Sequence, residues 1–372
     1  MSEQKLMKDG LDRAAIDRIA HALAATIKRF PRKRFVEEAL RGLDGLELKE
    51  RVDHLIDILH RFLPQPFPEA ARVLTEMKAH WNRGREGDPV RGFAAWPLID
   101  YVGVHGLDDP DIALELLKHL TPLFTAEWAI RPFLLQHEKR TFRHLKKWRS
   151  HPDHHVRRLV SEGTRPRLPW GIRLQPYCDD PKPILPFLEA LKNDESDYVR
   201  RSVANNLNDI SKDHPDLVIQ TCRAWRKGAS ENVLWVIRHA TRTLVKAGHP
   251  DVFGLLGYAD APKVEVRTLS LSASKIKVGS FLGIEFDLAS TTARGQKIVV
   301  DYAVHFVKAN GRTSRKVFKL KNVSLGPKET LHVTKSHSFK LISTRTYYPG
   351  THRVEVQING VPKQSIDFEL KT

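Results

Sequence analysis

Two patterns divide this 372-residue sequence into a helical solenoid and a smaller all-β domain. Up to about residue 258, apolar residues recur at helical spacing, and charged helices repeat about every forty residues. From about Pro262, apolar residues alternate with other side chains, and Asn-Gly pairs separate the runs. The expected organisation is a HEAT-like helical repeat domain over 1–258 and an immunoglobulin-like β-sandwich over 263–372.

In the first part, Ile16, Ile19, Leu23 and Ile27 share one face of an amphipathic helix over 11–28. Segments 34–43 and 48–63 repeat the pattern, and Pro64, Pro66 and Pro68 stop the second. A polar, Gly- and Pro-marked loop follows at 82–91, then helices over 111–120, 126–135 and 138–148. The segments 151–162 (HPDHHVRRLVSE), 195–207 (ESDYVRRSVANNL) and 231–244 (ENVLWVIRHATRTL) each pair a polar start with an early arginine. Aligning Arg158, Arg201 and Arg238 gives separations of 43 and 37 residues, about the period of HEAT-type helical pairs. Such units bury their apolar faces on one another and expose a curved surface.

In the second part, Ile284, Phe286 and Leu288 alternate, as do Ile298 through Phe306, Val354 through Ile358 and Ile366 through Leu370. Asn310-Gly311 and Asn359-Gly360 sit between such runs and suit tight type I′ hairpins. Several strands in roughly 110 residues fit a sandwich.

A hydrophobic content of 41% excludes wholesale disorder, and no apolar run approaches the ~20 residues of a membrane span. Cys178 and Cys222 lie far apart, outside any C-x-x-C pair, which fits a reduced, cytoplasmic setting. No P-loop, H-E-x-x-H or Cys/His quartet occurs, so no cofactor or metal is expected. His151, His154 and His155, at a helix start, read as solvated or phosphate-facing. A net charge of +17, about +11 of it after Pro262, favours a polyanionic partner.

Positions four apart share a helix face, so Arg238, Arg242 and Lys246 form a basic stripe, and stacked repeats would join such stripes into a phosphate-binding groove. Carboxylates in that setting would repel DNA unless they serve a purpose. Glu127 opens a helix beside Trp128, Glu162 closes the Arg158 turn, and Asp209 lies eight residues beyond Arg201 on nearly the same face. Each also fits a cap or an ion pair. A carboxylate can stabilise the oxocarbenium-like sugar formed when an N-glycosidic bond breaks, or position the attacking water. The loop 163–170 (GTRPRLPW) adds Arg165, Arg167 and Trp170. The tryptophan either caps the core or offers its face to a cationic sugar or base. On these residues alone, a non-catalytic HEAT-repeat scaffold that binds DNA or protein stands beside an enzyme.

The segments 156–170 (VRRLVSEGTRPRLPW), 199–218 (VRRSVANNLNDISKDHPDLV) and 236–258 (VIRHATRTLVKAGHPDVFGLLGY) resemble the AlkC branch of HEAT-like DNA alkylation repair glycosylases, some with a C-terminal immunoglobulin-like domain. The resemblance is dense over 120–258. It implies a monofunctional glycosylase, acting as a monomer on double-stranded DNA, that removes cationic methylated bases, chiefly 3-methyladenine and 3-methylcytosine, without drawing the base into a pocket. It further implies that Glu127, Glu162, Asp209 and Trp170 approach the lesion's deoxyribose, while Arg158, Arg165, Arg167, Arg201, Arg238, Arg242 and Lys246 hold phosphates.

Overall fold

The computed structural model describes residues 6–371, which form two compact units. One holds the chain up to Asp213 together with Ser230–Val236. The other holds His214–Ala229 and everything from Ile237 onward.

The first unit is helical. Asp12 caps Arg13–Thr26 by accepting from the Ala15 amide at 2.9 Å, and Ile16, Ile19 and Leu23 are buried. A reciprocal pair, Glu47 and Glu50, opens Leu48–Phe62. Prolines start helices here as often as they stop them. Pro68, Pro97, Pro110 and Pro132 stand in the first turns of Phe67–Met77, Trp96–His105, Pro110–Leu120 and Arg131–Gln136, where a missing N–H costs nothing. That placement yields Phe67–Met77 and Trp96–His105, which the apolar spacing alone had not marked. It also delays the helix expected over 126–135 until Arg131, leaving Glu127 and Trp128 in a turn closed by Ile130 N–H to Ala126 O at 3.1 Å.

The arginine-bearing segments form His154–Gly163, Asp197–Ile210 and Glu231–Ala240. The first two are tied by the buried Asn206, whose amide donates to Ser161 O at 2.8 Å and Thr164 Oγ1 at 3.2 Å. The third breaks at Thr241, and Arg242–Ala247 starts anew, so the stripe of Arg238, Arg242 and Lys246 spans two short helices.

In the second unit, Pro215–Arg226, Arg242–Ala247 and Pro250–Leu255 precede a sandwich. Its strands are β1 (Val264–Leu271), β2 (Lys275–Lys277), β3 (Phe281–Ser290), β4 (Gln296–Val307), β5 (Thr313–Leu325), β6 (Thr330–Ser338), β7 (Gly350–Ile358) and β8 (Val361–Lys371). One sheet runs β1-β3-β6 and the other β2-β8-β7-β4-β5. Alternation sends Ile284, Phe286 and Leu288 of one sheet and Ile298, Val300 and Tyr302 of the other into a single core.

The two hairpins differ. Asn359 (φ 48°) and Gly360 (φ 75°) both take the left-handed conformation a type I′ turn requires. At the other hairpin only Gly311 does, and its amide donates to Lys308 O at 2.9 Å, a longer loop with a glycine bulge. The Asn359-Gly360 turn is packed against the helices before it. A Cβ on Gly360 would sit 2.1 Å from the Gly248 Cα, and Asn359 donates to Ala259 O at 2.6 Å. Cys178 and Cys222 are both buried and are not joined in a disulfide. Among the described residues, no helix is long and apolar enough to cross a membrane.

His337 lies in the sandwich core, sharing a 2.8 Å hydrogen bond with Tyr302 and ringed by Phe306, Phe318 and Phe339. Burial, with Arg345 and Lys335 adding, pushes its imidazole down to about 4. The folded state keeps it neutral while the unfolded chain takes up a proton below about pH 6.5. Stability is therefore lost as pH falls from about 6.5 to 4, by roughly 3 kcal/mol in all. Urea unfolding over this window should show a shallower pH dependence in His337→Gln than in the parent protein.

Candidate functional site

The three expected carboxylates come together in the first unit as links of one ion-pair chain. Along His154–Gly163, the four-residue spacing places Arg158 Nη2 3.4 Å from Glu162 Oε1. Arg158 also reaches the preceding turn, with Nη1 2.8 Å from Glu127 Oε2 and 2.9 Å from Thr125 Oγ1. Thr125 in turn donates to Glu127 at 2.7 Å. As the chain leaves the helix, Arg165 folds back, with Nη1 2.7 Å from Glu162 Oε1 and Nε 2.8 Å from Asp209 Oδ2. Lys212 ends the row 3.1 Å from Asp209 Oδ1. The order is Glu127, Arg158, Glu162, Arg165, Asp209, Lys212.

Glu127, Glu162 and Asp209 are 7%, 4% and 2% exposed. Burying carboxylates at this depth demands partners, and the two guanidiniums supply them. Burial alone would lower the pKa of Arg158, but Glu162 and Glu127 outweigh it and hold it above the usual arginine value; Glu162 and Asp209 do the same for Arg165. The Tyr198 ring lies under the Arg158 guanidinium at 4.4 Å. In this arrangement Arg158 and Arg165 orient carboxylates and present no bare fork to a phosphate.

Arg167 pairs with Asp213 through two contacts of 2.8 and 2.6 Å. Arg201 is exposed and pairs with Asp197 at 2.7 Å, a solvent-screened contact. Asp209 does not share its face. Eight residues leave two side chains roughly 80° apart around a helix, enough to bury one and expose the other. Arg238, Arg242 and Lys246 belong to the second unit, where with Lys319, Asn322 and Asp301 they line a cavity of about 150 Å³.

Trp170 is presented to solvent, 65% exposed, with a left-handed φ of 62°. Its loop is held by a residue the spacing did not single out. Arg131 is fully buried; its Nε donates to Ile172 O at 2.6 Å and its Nη1 to Gly163 O and Arg165 O at 3.0 and 2.9 Å. Both ends of the loop thus hang on one guanidinium, and Gly171 leaves room for it, since a Cβ there would lie 3.2 Å from the Arg131 Cδ. Burial and the neighbouring Arg165 pull Arg131 down to about 10, against the pull of Asp209 and Glu127. Trp128 secures the loop from outside, donating to Pro169 O at 3.1 Å.

The sequence matches two family descriptions: "DNA alkylation repair enzyme" over residues 124–244, and "Uncharacterised protein YhaZ, C-terminal Ig-like domain" over 265–372. The first span contains the entire ion-pair chain. Helical repeats that match a DNA alkylation repair enzyme family, followed by an Ig-like domain, place the chain among DNA alkylation repair proteins. The chain is 37% identical over 365 residues to the uncharacterized protein YhaZ of Bacillus subtilis, covering 98% of this chain and 99% of that one. The structure of the alkylpurine DNA glycosylase AlkC of Pseudomonas fluorescens, bound to DNA containing an abasic site analog, superposes with a TM-score of 0.92 at 36% identity. That match covers 99% of this chain and 100% of the other. The protein belongs to the AlkC family.

Proposed function

We propose that the protein is a monofunctional DNA glycosylase that excises cationic N-methylated bases, 3-methyladenine and 3-methylcytosine foremost, from duplex DNA. The observation that carries this reading is the row of three buried carboxylates held by two arginines in a strongly basic chain. A scaffold that only grips phosphates gains nothing from them. The homologous AlkC, an alkylpurine DNA glycosylase bound to abasic-site DNA, supports the same reading.

The chemistry follows from charge. A methylated, cationic base leaves with the electron pair of the C1′–N bond and departs neutral, so the greater need is on the sugar side. The developing oxocarbenium carries positive charge that Glu127, Glu162 and Asp209 face as preorganised anions. One of them orients the water whose oxygen bonds to C1′, with its proton passing to solvent or carboxylate. Trp170 lies against the deoxyribose. Arg158 and Arg165 keep the carboxylates fixed, while Arg167, Arg201, Arg238, Arg242 and Lys246 hold backbone phosphates. The protein acts as a monomer and grips the backbone without flipping the base into a pocket. In this reading the helical domain 1–258 carries the chemistry, and 263–372 is a second hand on the duplex.

Purified protein should release 3-methyladenine from methylated duplex without added metal or nucleotide and leave abasic sites. Tight duplex binding with no release of any alkylated base would replace this reading with a scaffold. Arg238→Ala should weaken binding about equally for all sequences and flatten the salt dependence by about one unit. An unchanged slope would remove Arg238 from the phosphate contacts.

A further inference from the structure

In the sandwich, three cations converge on one cavity without a carboxylate among them. The cavity, of about 540 Å³, is lined by Lys308 from the β4–β5 turn, Lys316 from β5 and Arg345 from the connection between β6 and β7. Ser314, Thr344 and Thr346 bring hydroxyls to the same wall, and no lining residue is acidic. The strand register puts Lys316 on the inward face of its sheet. Ser314, Lys316 and Phe318 stand opposite Phe306, Val304 and Tyr302, which belong to the core.

Arg345 is held in place by aromatic rings. Its guanidinium carbon lies 4.2 Å from the Phe306 ring centre and 5.7 Å from those of Phe318 and Tyr347, and its amide donates to Ile342 O at 3.3 Å across a tight turn. Elsewhere in the sandwich, Arg315 holds Glu355 at 2.8 Å and Arg353 holds Asp367 at 2.7 Å. Among the described residues, Lys308, Lys316 and Arg345 have no such ion pair. The Lys316 ammonium is pulled below the usual lysine value, chiefly by Arg345, with burial, Lys246 and Lys308 adding. β5 is an edge strand, where one inward lysine blunts pairing with other chains. Edge protection needs no cations from two further segments, and their mutual repulsion opposes folding until an anion joins them.

We propose that this pocket binds a phosphomonoester, its terminal oxygens held by Lys308, Lys316 and Arg345. Such a group carries a charge of about −1.5 to −2 at neutral pH and offers three terminal oxygens. A backbone phosphodiester carries a single charge and offers two. Three cations backed by three hydroxyls match the monoester. The ester is either a free phosphorylated small molecule or the phosphate at the end of a nucleic-acid strand.

Full-length protein is titrated calorimetrically with thymidine 5′-monophosphate and with the methyl ester of its phosphate, which keeps the base but removes one charge and one terminal oxygen. The monoester should bind at least about tenfold more tightly. Lys308→Gln and Lys316→Gln together should erase that preference. Lys363→Gln, at an exposed β8 lysine outside the lining, should leave it intact. Equal affinity for the two esters, no binding of either, or a preference that survives the double variant overturns the proposal. Equal affinity combined with weaker duplex binding by the double variant would give the pocket to backbone phosphates instead. Single strands of one sequence, with a 5′-phosphate or a 5′-hydroxyl, then separate the sources. A phosphate-dependent gain beyond the affinity of the mononucleotide assigns the strand end, and no gain assigns the free ester. Base excision is not the readout, so the glycosylase reading stands or falls separately.

Discussion

Glu162→Gln is expected to lower 3-methyladenine release at least about tenfold, a barrier increase of roughly 1.4 kcal/mol or more, while duplex binding survives. Glu162 is the middle link of the row, with Arg158 on one side at 3.4 Å and Arg165 on the other at 2.7 Å. Glutamine keeps the shape and one acceptor but removes the charge that faces the sugar cation. It also leaves two guanidiniums with one carboxylate each, so stability falls as well. Rates must therefore be taken well below the melting temperature of the variant, under single-turnover conditions. Asp209→Asn, at the last carboxylate of the row, should reproduce the kinetic loss. Full activity in both variants would sink the roles assigned to these carboxylates.

Arg165→Met should cost the largest share of stability of any change in the row, about 3–5 kcal/mol, because it strands buried charge. Asp209 would be left with Lys212, whose side chain is 42% exposed, and Glu162 with the longer contact to Arg158. The chain should also lose excision, since both carboxylates become free to turn. Urea unfolding of Arg165→Met, Asp209→Asn and the double variant makes the case quantitative. The double should be less destabilised than the two singles added together, because removing the anion relieves the stranded partner. Strict additivity, or a loss below about 1 kcal/mol for Arg165→Met, would mean that the contact behaves as a solvent-screened surface pair.

Helical spacing and strand alternation located the helix Glu138–Trp148, the start of Leu48–Phe62 and the core-facing residues of β3, β4, β7 and β8. They passed over β5 and β6, whose outward lysines and serines dilute the alternation on a solvent-facing side. The candidate carboxylates were legible because acidic residues in a basic chain need a reason. Their partners were not. Arg158 and Arg165 look alike whether they hold a phosphate or a glutamate, and only the fold brings Asp209, 44 residues away, to Arg165. Arg131 gave even less signal: its acceptors are backbone carbonyls, and any residue type supplies those. Its one local hint is the glycine at 171, next to a tryptophan in a left-handed conformation.

The contact between Gly248 and Gly360 constrains how this sequence can vary. Both residues have positive φ, and each leaves no room for a Cβ against the other, at 2.9 Å or less from the opposing backbone. Neither lies in a regular helix or strand, so a surface loop's usual freedom would be expected of both. In a saturation library each position should instead deplete of every alternative, alanine included. Because each added Cβ would meet the other residue's backbone, which no substitution removes, a change at one of these glycines, 112 residues apart in sequence, is not rescued by a change at the other.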